Sequence, residues 1–222
     1  MELVLAMDLR HNTVVHGKSG FRETYKPLDW GLSPTDEPVG FVKAVAPKYL
    51  YIADLDRIER TGAHDEIIRT CASFTKCCYV DRGARSPGDF LTGPHIKNIV
   101  GTETGGSGLA AYHGGYLSVD VKNGKVIPSG ADPSAVLAAA NDWDFEGCIL
   151  LNVSAVGTET GTGPALETWR AACDGRLLYG GGVASVKDLE TLSAAGFDGA
   201  IIATALHKGA IPHEWIRRGT CC

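Results

Sequence analysis

Two hydrophobic patterns alternate along the chain: short apolar runs, and longer stretches in which apolar residues recur at helical spacing. The short runs, such as YLYIA before Asp54 and CILL before Asn152, stop at a polar residue or glycine. They predict strands buried on both faces of a parallel sheet. Strand followed by helix over the whole length indicates an α/β fold. The predicted helices are Glu37–Ala46, Ala63–Ser73, Pro133–Ala140, Pro164–Cys173 and Val186–Ala195.

Two of these helices have sequence signals at their ends. Asp132 is a favourable N-cap residue, and Pro133 follows it at the first helical position. Ser185 and Asp188 form a capping-box pattern, and Gly196 is placed to end the same helix. These signals predict where the two helices begin and where the second one stops.

The strand ends repeat in the same order about half the chain later. Asp8 closes the first apolar run and aligns with Asp120, each followed by an aliphatic residue, a cation and a turn. A repeat of this kind indicates a duplicated architecture. The other repeated pairs are Tyr49–Asp56 with Gly147–Ser154, Tyr79–Ser86 with Leu178–Ser185, and Asn98–Thr102 with Ala200–Thr204.

A duplicated pattern of eight strands favours a closed (β/α)8 TIM barrel with a two-fold half-barrel repeat. The length of 222 residues fits one such domain over residues 1–222, with half-barrels of roughly 1–114 and 115–222. An open doubly wound sheet is the alternative, but it would not repeat its strand ends at the half-length. The first loop, Gly17 to Thr35, is the one extended stretch without periodicity, and loops of that length are usually functional or mobile.

The composition excludes several classes of protein. A hydrophobic fraction of 44% excludes a disordered chain, and a net charge of −5 without basic runs argues against nucleic acid as a partner. No apolar run reaches the roughly 18 residues of a membrane span, and the N-terminus has no secretion signal. The sequence therefore predicts a cytoplasmic protein with no membrane partner, and it makes no prediction about the oligomeric state.

Seven cysteines without a CxxC pair are typical of reduced thiols in the cytoplasm. We expect Cys221 and Cys222 to be exposed thiols on a frayed tail. A metal or redox role would need partners that the sequence does not locate, and prenylation would need other signs of membrane targeting.

The two repeated aspartates are the candidate catalytic residues. Asp8 and Asp120 close the first and fifth predicted strands, which lie opposite each other in an eight-stranded barrel. Active sites of such barrels lie at the carboxyl ends of the strands. Two facing carboxylates can donate and accept protons when their pKa values suit the task. An aspartate after a strand can also merely cap a turn, but the duplication favours the catalytic interpretation.

A run of three glycines is the candidate phosphate site. Gly180, Gly181 and Gly182 follow the seventh predicted strand and lead into a helix. Glycine lets backbone N–H groups approach an anion, and a helix N-terminus favours negative charge. Ala203 and Thr204 follow the eighth strand and would complete the site. The alternative is a tight turn that needs glycine for its backbone shape.

The equivalent region of the first half carries charged residues. A second anion site is one prediction, and an ion pair between Asp81 and an arginine is the alternative. Its candidate binding residues are Arg82, Gly83, Arg85, Gly101 and Thr102.

Two basic residues of the first loop, Lys18 and Arg22, are placed to contact an anionic ligand if the loop closes over it. The same residues would also suit a solvated, charged loop. The seven histidines have no metal-ligand spacing, and the glycine-rich segments lack the ending of a P-loop. The sequence therefore predicts neither a metal nor a cofactor.

Taken together, these motifs resemble the histidine-biosynthesis barrel family, HisA and HisF, over essentially the whole chain. The resemblance implies a two-fold repeated barrel that binds a substrate with a phosphate at each end. It places the catalytic aspartates on Asp8 and Asp120 and the second-half phosphate loop on Gly180–Gly182 with Ala203 and Thr204. The motifs are AMDLRHNTVVHG at 6–17, DLD at 54–56, RGARS at 82–86, IVGT at 99–102, LSVDVKNGKV at 117–126, GGGVAS at 180–185 and IIATAL at 201–206.

Two strand ends depart from the family pattern. Asp81 and Arg82 stand where the family has glycines, and Leu151 and Asn152 stand where it has a threonine and an acidic residue. The segment Gly20–Pro27 is more similar to a divergent HisA-like branch. HisA enzymes catalyse an Amadori rearrangement of an aminoaldose to an aminoketose.

The expected function is therefore an aldose–ketose isomerase that acts by acid/base catalysis on a phosphorylated ribotide or sugar phosphate. The expected partner is this small phosphorylated metabolite. Two alternatives stay open: a lyase or synthase of cofactor biosynthesis, and a non-catalytic barrel that binds a phosphorylated metabolite.

Overall fold

Eight parallel strands close into a barrel in the computed structural model, which describes residues 1–162 and 165–221. The first strand pairs with the last through Leu3 and Ala200, so the sheet has no open edge among its parallel strands. The predicted (β/α)8 barrel is confirmed. The strands are β1 Glu2–Arg10, β2 Tyr49–Asp54, β3 Cys77–Asp81, β4 Ile96–Gly101, β5 Tyr116–Lys122, β6 Gly147–Asn152, β7 Leu177–Gly180 and β8 Gly199–Ile202.

Helices connect successive strands on the outside of the barrel. None of the helices in the described ranges is long and apolar enough to cross a membrane. The α-helices are Pro38–Val45, Leu55–Glu59, Asp65–Ala72, Thr102–Gly105, Pro133–Ala140, Leu166–Ala171, Val186–Ala194, Thr204–His207 and His213–Arg218. Single 3-10 turns lie at Arg22–Thr24, Pro87–Asp89, Gly106–Ala111 and Val153–Ala155.

The helix ends that carry sequence signals lie where those signals predict. The Asp132 carboxylate accepts the N–H of Ser134, and the helix begins at Pro133. The Ser185 side chain accepts the N–H of Asp188, which completes the predicted capping box. The helix predicted over Pro164–Cys173 is shorter in the structure and spans Leu166–Ala171. Pro164, the first residue of the prediction, lies outside the described ranges.

A short antiparallel hairpin follows the first strand of each half-barrel. Thr13–His16 pairs with the end of β1, and Lys125–Val126 pairs with the end of β5. In both, the repeated aspartate lies two residues before the end of the strand, and the hairpin turn follows that end. The hairpins extend β1 and β5 beyond the barrel, at the end where the site lies.

Two apolar layers surround the strands. The outer layer packs the strands against the helices, and the inner layer fills the barrel with side chains such as Val4, Ile149 and Leu178. At the amino end of the barrel, the Tyr79 hydroxyl donates to the Glu2 carboxylate at 2.8 Å. This polar contact and the packed interior close the amino end, which leaves the carboxyl ends of the strands open for a ligand.

The expectation of an exposed tail at Cys221 is wrong. Cys221 is 1% exposed and packs into the outer apolar layer. The helix His213–Arg218 turns the chain back toward β1, where the N–H of Cys221 donates to the carbonyl of Met1 at 3.3 Å. Cys222 lies outside the described residues. Free thiols are present at Cys71, Cys77, Cys78, Cys148 and Cys173.

Candidate active site

A cavity opens at the carboxyl ends of the strands and has about 1170 Å³ of empty space, including its open mouth. Asp8 at the end of β1, Asp81 at the end of β3 and Asp120 in β5 all line it. The cavity therefore lies at the end of the barrel where the repeated strand ends predict a site. Its volume suits a small metabolite.

Burial raises the pKa of three carboxyl groups in the cavity. Burial raises the pKa of Asp8 to about 7 and, together with the charge of Asp81, raises the pKa of Asp120 to about 7. Burial also raises the pKa of Asp81 to about 6. These groups therefore exchange protons near neutral pH, as acid/base catalysis requires.

Asp120 is held by neighbouring donors. Its carboxylate accepts the Ser118 hydroxyl at 2.6 Å and the N–H of Glu103 at 3.0 Å, and its own N–H donates to Thr102 Oγ1 at 3.0 Å. A Cβ on Gly101 would lie only 2.6 Å from Asp120 Oδ2. The predicted phosphate residues Gly101 and Thr102 thus position Asp120, and neither lines the cavity.

Asp8 has a different environment. Its carboxylate accepts no hydrogen bond from residues 1–162 or 165–221. The first loop passes directly over it, and a Cβ on Gly17 would lie only 2.4 Å from Asp8 Oδ2. Because glycine has no side chain, the loop can pass close over the Asp8 carboxylate at this position.

Asp81 joins the two predicted catalytic residues in the cavity. Its Oδ1 accepts the N–H of Gly83 at 3.0 Å, and its Oδ2 accepts the Tyr51 hydroxyl at 3.4 Å. In the sequence analysis, Asp81 stands as a replacement for a loop glycine. Its position at the end of a buried strand, which it shares with Asp8 and Asp120, could have predicted that it lines the cavity.

The first loop covers the cavity and is anchored by a two-point ion pair. The Arg22 guanidinium donates to both carboxylate oxygens of Glu103, at 2.9 Å and 2.7 Å. Arg10 donates to the carbonyl of Arg22 and fixes the same turn. Arg22 lines the cavity as predicted, whereas Lys18 is exposed and does not line it.

The glycine run after β7 faces the cavity through two of its three members. Gly181 and Gly182 line the cavity with φ angles of 97° and 83°, which favour glycine. The N–H groups of Gly181, Gly182 and Val183 donate to no acceptor in the described part of the chain. Gly180 belongs to β7, where a Cβ would lie 2.8 Å from Leu151. Gly181 and Gly182 thus present open donors to a ligand.

Two histidines that the sequence did not single out lie beside the β8 end. His16 Nε2 is 3.0 Å from Thr204 Oγ1, and Ala203 and Thr204 both line the cavity. Burial lowers the pKa of His207 to about 4, so this ring is neutral at physiological pH. His16 gave no sequence signal, because its partner Thr204 lies at the other end of the chain.

The two arginines of the first-half loop do not reach the cavity. Arg82 pairs with Asp65 on the neighbouring helix, and neither Arg82 nor Arg85 forms the ion pair with Asp81 that the sequence left open. The Arg85 guanidinium donates to the carbonyls of Gly83 and Ile58, each at 2.8 Å. The prediction that these arginines grip an anion therefore does not match the geometry, since their donors face the protein.

Within the described ranges, no group of three or more histidine, cysteine, aspartate or glutamate side chains is arranged to hold a metal ion.

The fold and the site together define a (β/α)8 barrel with an acid–base cavity at the carboxyl ends of its strands. The chain belongs to the histidine biosynthesis protein family, whose sequence profile matches residues 2–212, and within it the chain is HisA-like.

Relatives of the chain extend over nearly its whole length. An uncharacterized protein of Methanocaldococcus jannaschii is 33% identical over 226 residues, covering 97% of each chain. A 1-(5-phosphoribosyl)-5-((5-phosphoribosylamino)methylideneamino) imidazole-4-carboxamide isomerase of Halobacterium salinarum is 30% identical, covering 92% of this chain and 90% of the relative. The isomerase of the same name from Listeria innocua is 32% identical, covering 95% of each chain. These identities agree with a divergent HisA-like branch.

Proposed function

We propose that this protein is an aldose–ketose isomerase that acts on a phosphorylated ribotide or sugar phosphate with Asp8 and Asp120 as its acid/base pair. The observation that carries the proposal is the raised pKa, about 7, of both carboxyl groups in one cavity. A carboxyl group with an ordinary pKa near 4 would be almost fully ionised at neutral pH and would be a poor proton donor.

The rearrangement needs one donor and one acceptor. The substrate ring opens when its ring oxygen gains a proton and the bond between that oxygen and C1 breaks, which leaves an aldehyde or imine at C1. The proton on C2 then leaves to give an enediol or enolamine, and C1 gains a proton while the C2 hydroxyl loses one to form the ketone. No electrons enter or leave the substrate, so two groups that exchange protons suffice. Near neutral pH Asp8 and Asp120 are each close to half protonated, so one can donate while the other accepts.

The phosphate of the substrate binds at the β7 and β8 ends in this proposal. The N–H groups of Gly181, Gly182 and Val183 supply donors without a formal charge, and Thr204, which follows the neighbouring strand β8, also lines the cavity. The helix that begins at Val186 adds the positive end of its dipole. Binding here would direct the sugar toward the aspartate pair.

The names of the Halobacterium salinarum and Listeria innocua relatives suggest a particular substrate, a phosphoribosylated imidazole carboxamide. We take this ribotide and its place in histidine biosynthesis as the first substrate to test, because its two phosphoribosyl groups put a phosphate at each end. Turnover of this ribotide by the wild type, Asp8→Asn and Asp120→Asn tests the chemistry. Complementation of a histidine auxotroph that lacks HisA tests the pathway. Turnover that is equal in all three proteins would contradict the assignment of the pair.

A second candidate is a lyase or synthase reaction on a related phosphorylated intermediate. It is favoured by the third carboxyl group, since Asp81 stands in the cavity where the family has glycine. An additional acid with a pKa of about 6 could protonate a leaving group. Robust growth of the complemented auxotroph on minimal medium would count against this candidate. Failure to grow, combined with Asp8-dependent turnover of another sugar phosphate, would favour it.

A further inference from the structure

The loops after β3 and β7 have the same framework in the two half-barrels. Asp89 accepts the N–H groups of Arg85 and Ser86, both at 2.9 Å. In the second half, Asp188 accepts the N–H groups of Ala184 and Ser185 in the same way, at 2.9 Å and 3.0 Å. The two loops therefore share this framework, and they differ at Asp81 and Arg82, which stand where the second half has Gly180 and Gly181.

The difference begins at Asp81, which occupies the position of Gly180. Its carboxylate accepts the N–H of Gly83 at 3.0 Å, whereas the equivalent N–H of Gly182 has no acceptor in residues 1–162 and 165–221. The donor that could bind an anion in the second half is therefore already used by a carboxylate in the first half. A phosphate there would lose this donor and face a negative charge at the same time.

In the described residues, the Arg22 charge lowers the pKa of Asp81 but only partly offsets the burial that raises it. The guanidinium of Arg82 is paired with Asp65, and that of Arg85 donates to two carbonyls. The cation that does reach the cavity, Arg22, is held by both oxygens of Glu103. Four acidic side chains and one arginine line this end of the cavity: Asp8, Asp81, Glu103, Asp120 and Arg22.

The opposite end of the cavity offers open donors instead. The N–H groups of Gly181 and Gly182 are open there, and the charges of Lys18 and Lys208 near His16 are opposed by Glu159, which lines the cavity and pairs with Lys208. The cavity is thus acidic at the first-half end and rich in hydrogen-bond donors at the second-half end.

We infer that the substrate carries a phosphate at the second-half end only, and that its other end bears hydroxyl or amino groups that donate to Asp81. This inference rests on the proposed function, because it assumes that a phosphorylated substrate binds across the aspartate pair. It departs from the two-phosphate substrate that the family resemblance implies. Asp81 would then select a monophosphate against a bisphosphate of the same sugar.

Calorimetric titration with ribulose 5-phosphate and ribulose 1,5-bisphosphate tests this selection, because the two probes differ by one phosphate. We expect the wild type to bind the monophosphate at least about tenfold more tightly, the ratio that a difference of about 1.4 kcal/mol produces. Asp81→Gly removes the charge and frees the N–H of Gly83, so it should reverse the preference. Asp81→Asn removes the charge but keeps an acceptor for that N–H, so it should give an intermediate ratio.

The outcomes separate this inference from the proposed function. Equal or tighter binding of the bisphosphate to the wild type, with both ligands weakened by Gly181→Glu, would overturn the inference and leave the proposed function standing. Binding of both probes that Gly181→Glu does not weaken would overturn the second-half phosphate site and the inference with it. The wild-type ratio decides the question even if a variant at Asp81 fails to fold.

Discussion

Asp8 and Asp120 occupy equivalent places in the two half-barrels, but the protein holds them differently. Asp120 accepts hydrogen bonds from Ser118 in β5 and from the backbone of Glu103 in the short helix that follows β4. Asp8 accepts none from the described residues and is partly buried beneath the first loop. Both nevertheless reach a pKa of about 7. The same acidity can thus arise from a fixed barrel environment or from a covering loop.

The loops after β3 and β7 teach a related lesson. The duplication keeps the bonds that shape each loop, through Asp89 and Asp188, and changes the strand-end residue from Gly180 to Asp81, which lines the cavity. Selection on the ligand can therefore act on Asp81 or Gly180 without reshaping the loop.

The largest expected effect comes from removing either member of the pair. Asp8→Asn and Asp120→Asn should each lower kcat by roughly 10²–10⁴-fold, the usual contribution of a general acid or base. Steady-state kinetics on the ribotide measure this, with Asp142→Asn as an exposed control. If only one variant loses activity, Asp8 and Asp120 do not have equivalent functions in the two half-barrels.

The next largest effect concerns the donors at the second-half end. Gly181→Glu should raise KM for a phosphorylated substrate by at least about tenfold, because a carboxylate would face the phosphate and a Cβ would lie 2.2 Å from the carbonyl of Asn152. Gly106→Glu is a matched control, since Gly106 also has a positive φ of 61° and has nothing within 4 Å of its Cβ position. Equal KM values for the two variants would show that Gly181 does not face the ligand.

Ser118→Ala should sharpen the contrast between the two aspartates. The Ser118 hydroxyl stabilises the ionised form of Asp120, so its removal should raise the pKa of Asp120. We expect one limb of the pH–rate profile to move upward by about one pH unit. A hydrogen bond to a charged group is worth about 1.5–3 kcal/mol, and the loss of part of this energy produces a shift of that size. Asp8 has no equivalent donor among the described residues, so the other limb should stay in place. Movement of both limbs together would mean that the pair titrates as one unit.

The smallest effect is on stability. The carboxyl groups of Asp8, Asp81 and Asp120 have folded pKa values raised above the ordinary value of 3.8 to about 7, 6 and 7. Between pH 4 and 7 the folded state therefore binds more protons than the unfolded state. The free energy of unfolding should fall as pH rises through this window, by up to about 1.4 kcal/mol per pH unit for each group.

Asp81→Asn should flatten this pH dependence, because it removes one titrating group and its repulsion of Asp120. Urea unfolding of both proteins at several pH values measures the two slopes. Identical slopes would mean that Asp81 has the same pKa in the folded and the unfolded states.

The sequence was a good guide to elements and a poor guide to side-chain partners. Hydrophobic periodicity and capping signals are local, so Pro133–Ala140 and Val186–Ala194 could be predicted closely. The partners of Arg82 and of Cys221 could not, because Asp65 and Met1 are distant in the chain and meet these residues only after the barrel closes.

The candidate site shows the same limit. The strand-end rule found Asp8 and Asp120, but the role of Thr102 depends on its hydrogen bond to the neighbouring strand. The local sequence around Thr102 is the same as it would be in a phosphate loop, so only the packing of β4 beside β5 distinguishes the two roles.

The contact between residues near the two ends of the chain has a practical consequence for engineering. Glu2 pairs with Thr220 in an isolated bridge at the amino end of the barrel, on the far side from the cavity. The boundary between the half-barrels near Gly114 is a partly exposed connection just before β5. A circular permutant that joins residues 220 and 2 through a short linker and opens at Gly114 would exchange the order of the halves along the chain. Its cavity would contain the same residues, so the two halves could be varied, split or recombined as separate genetic modules.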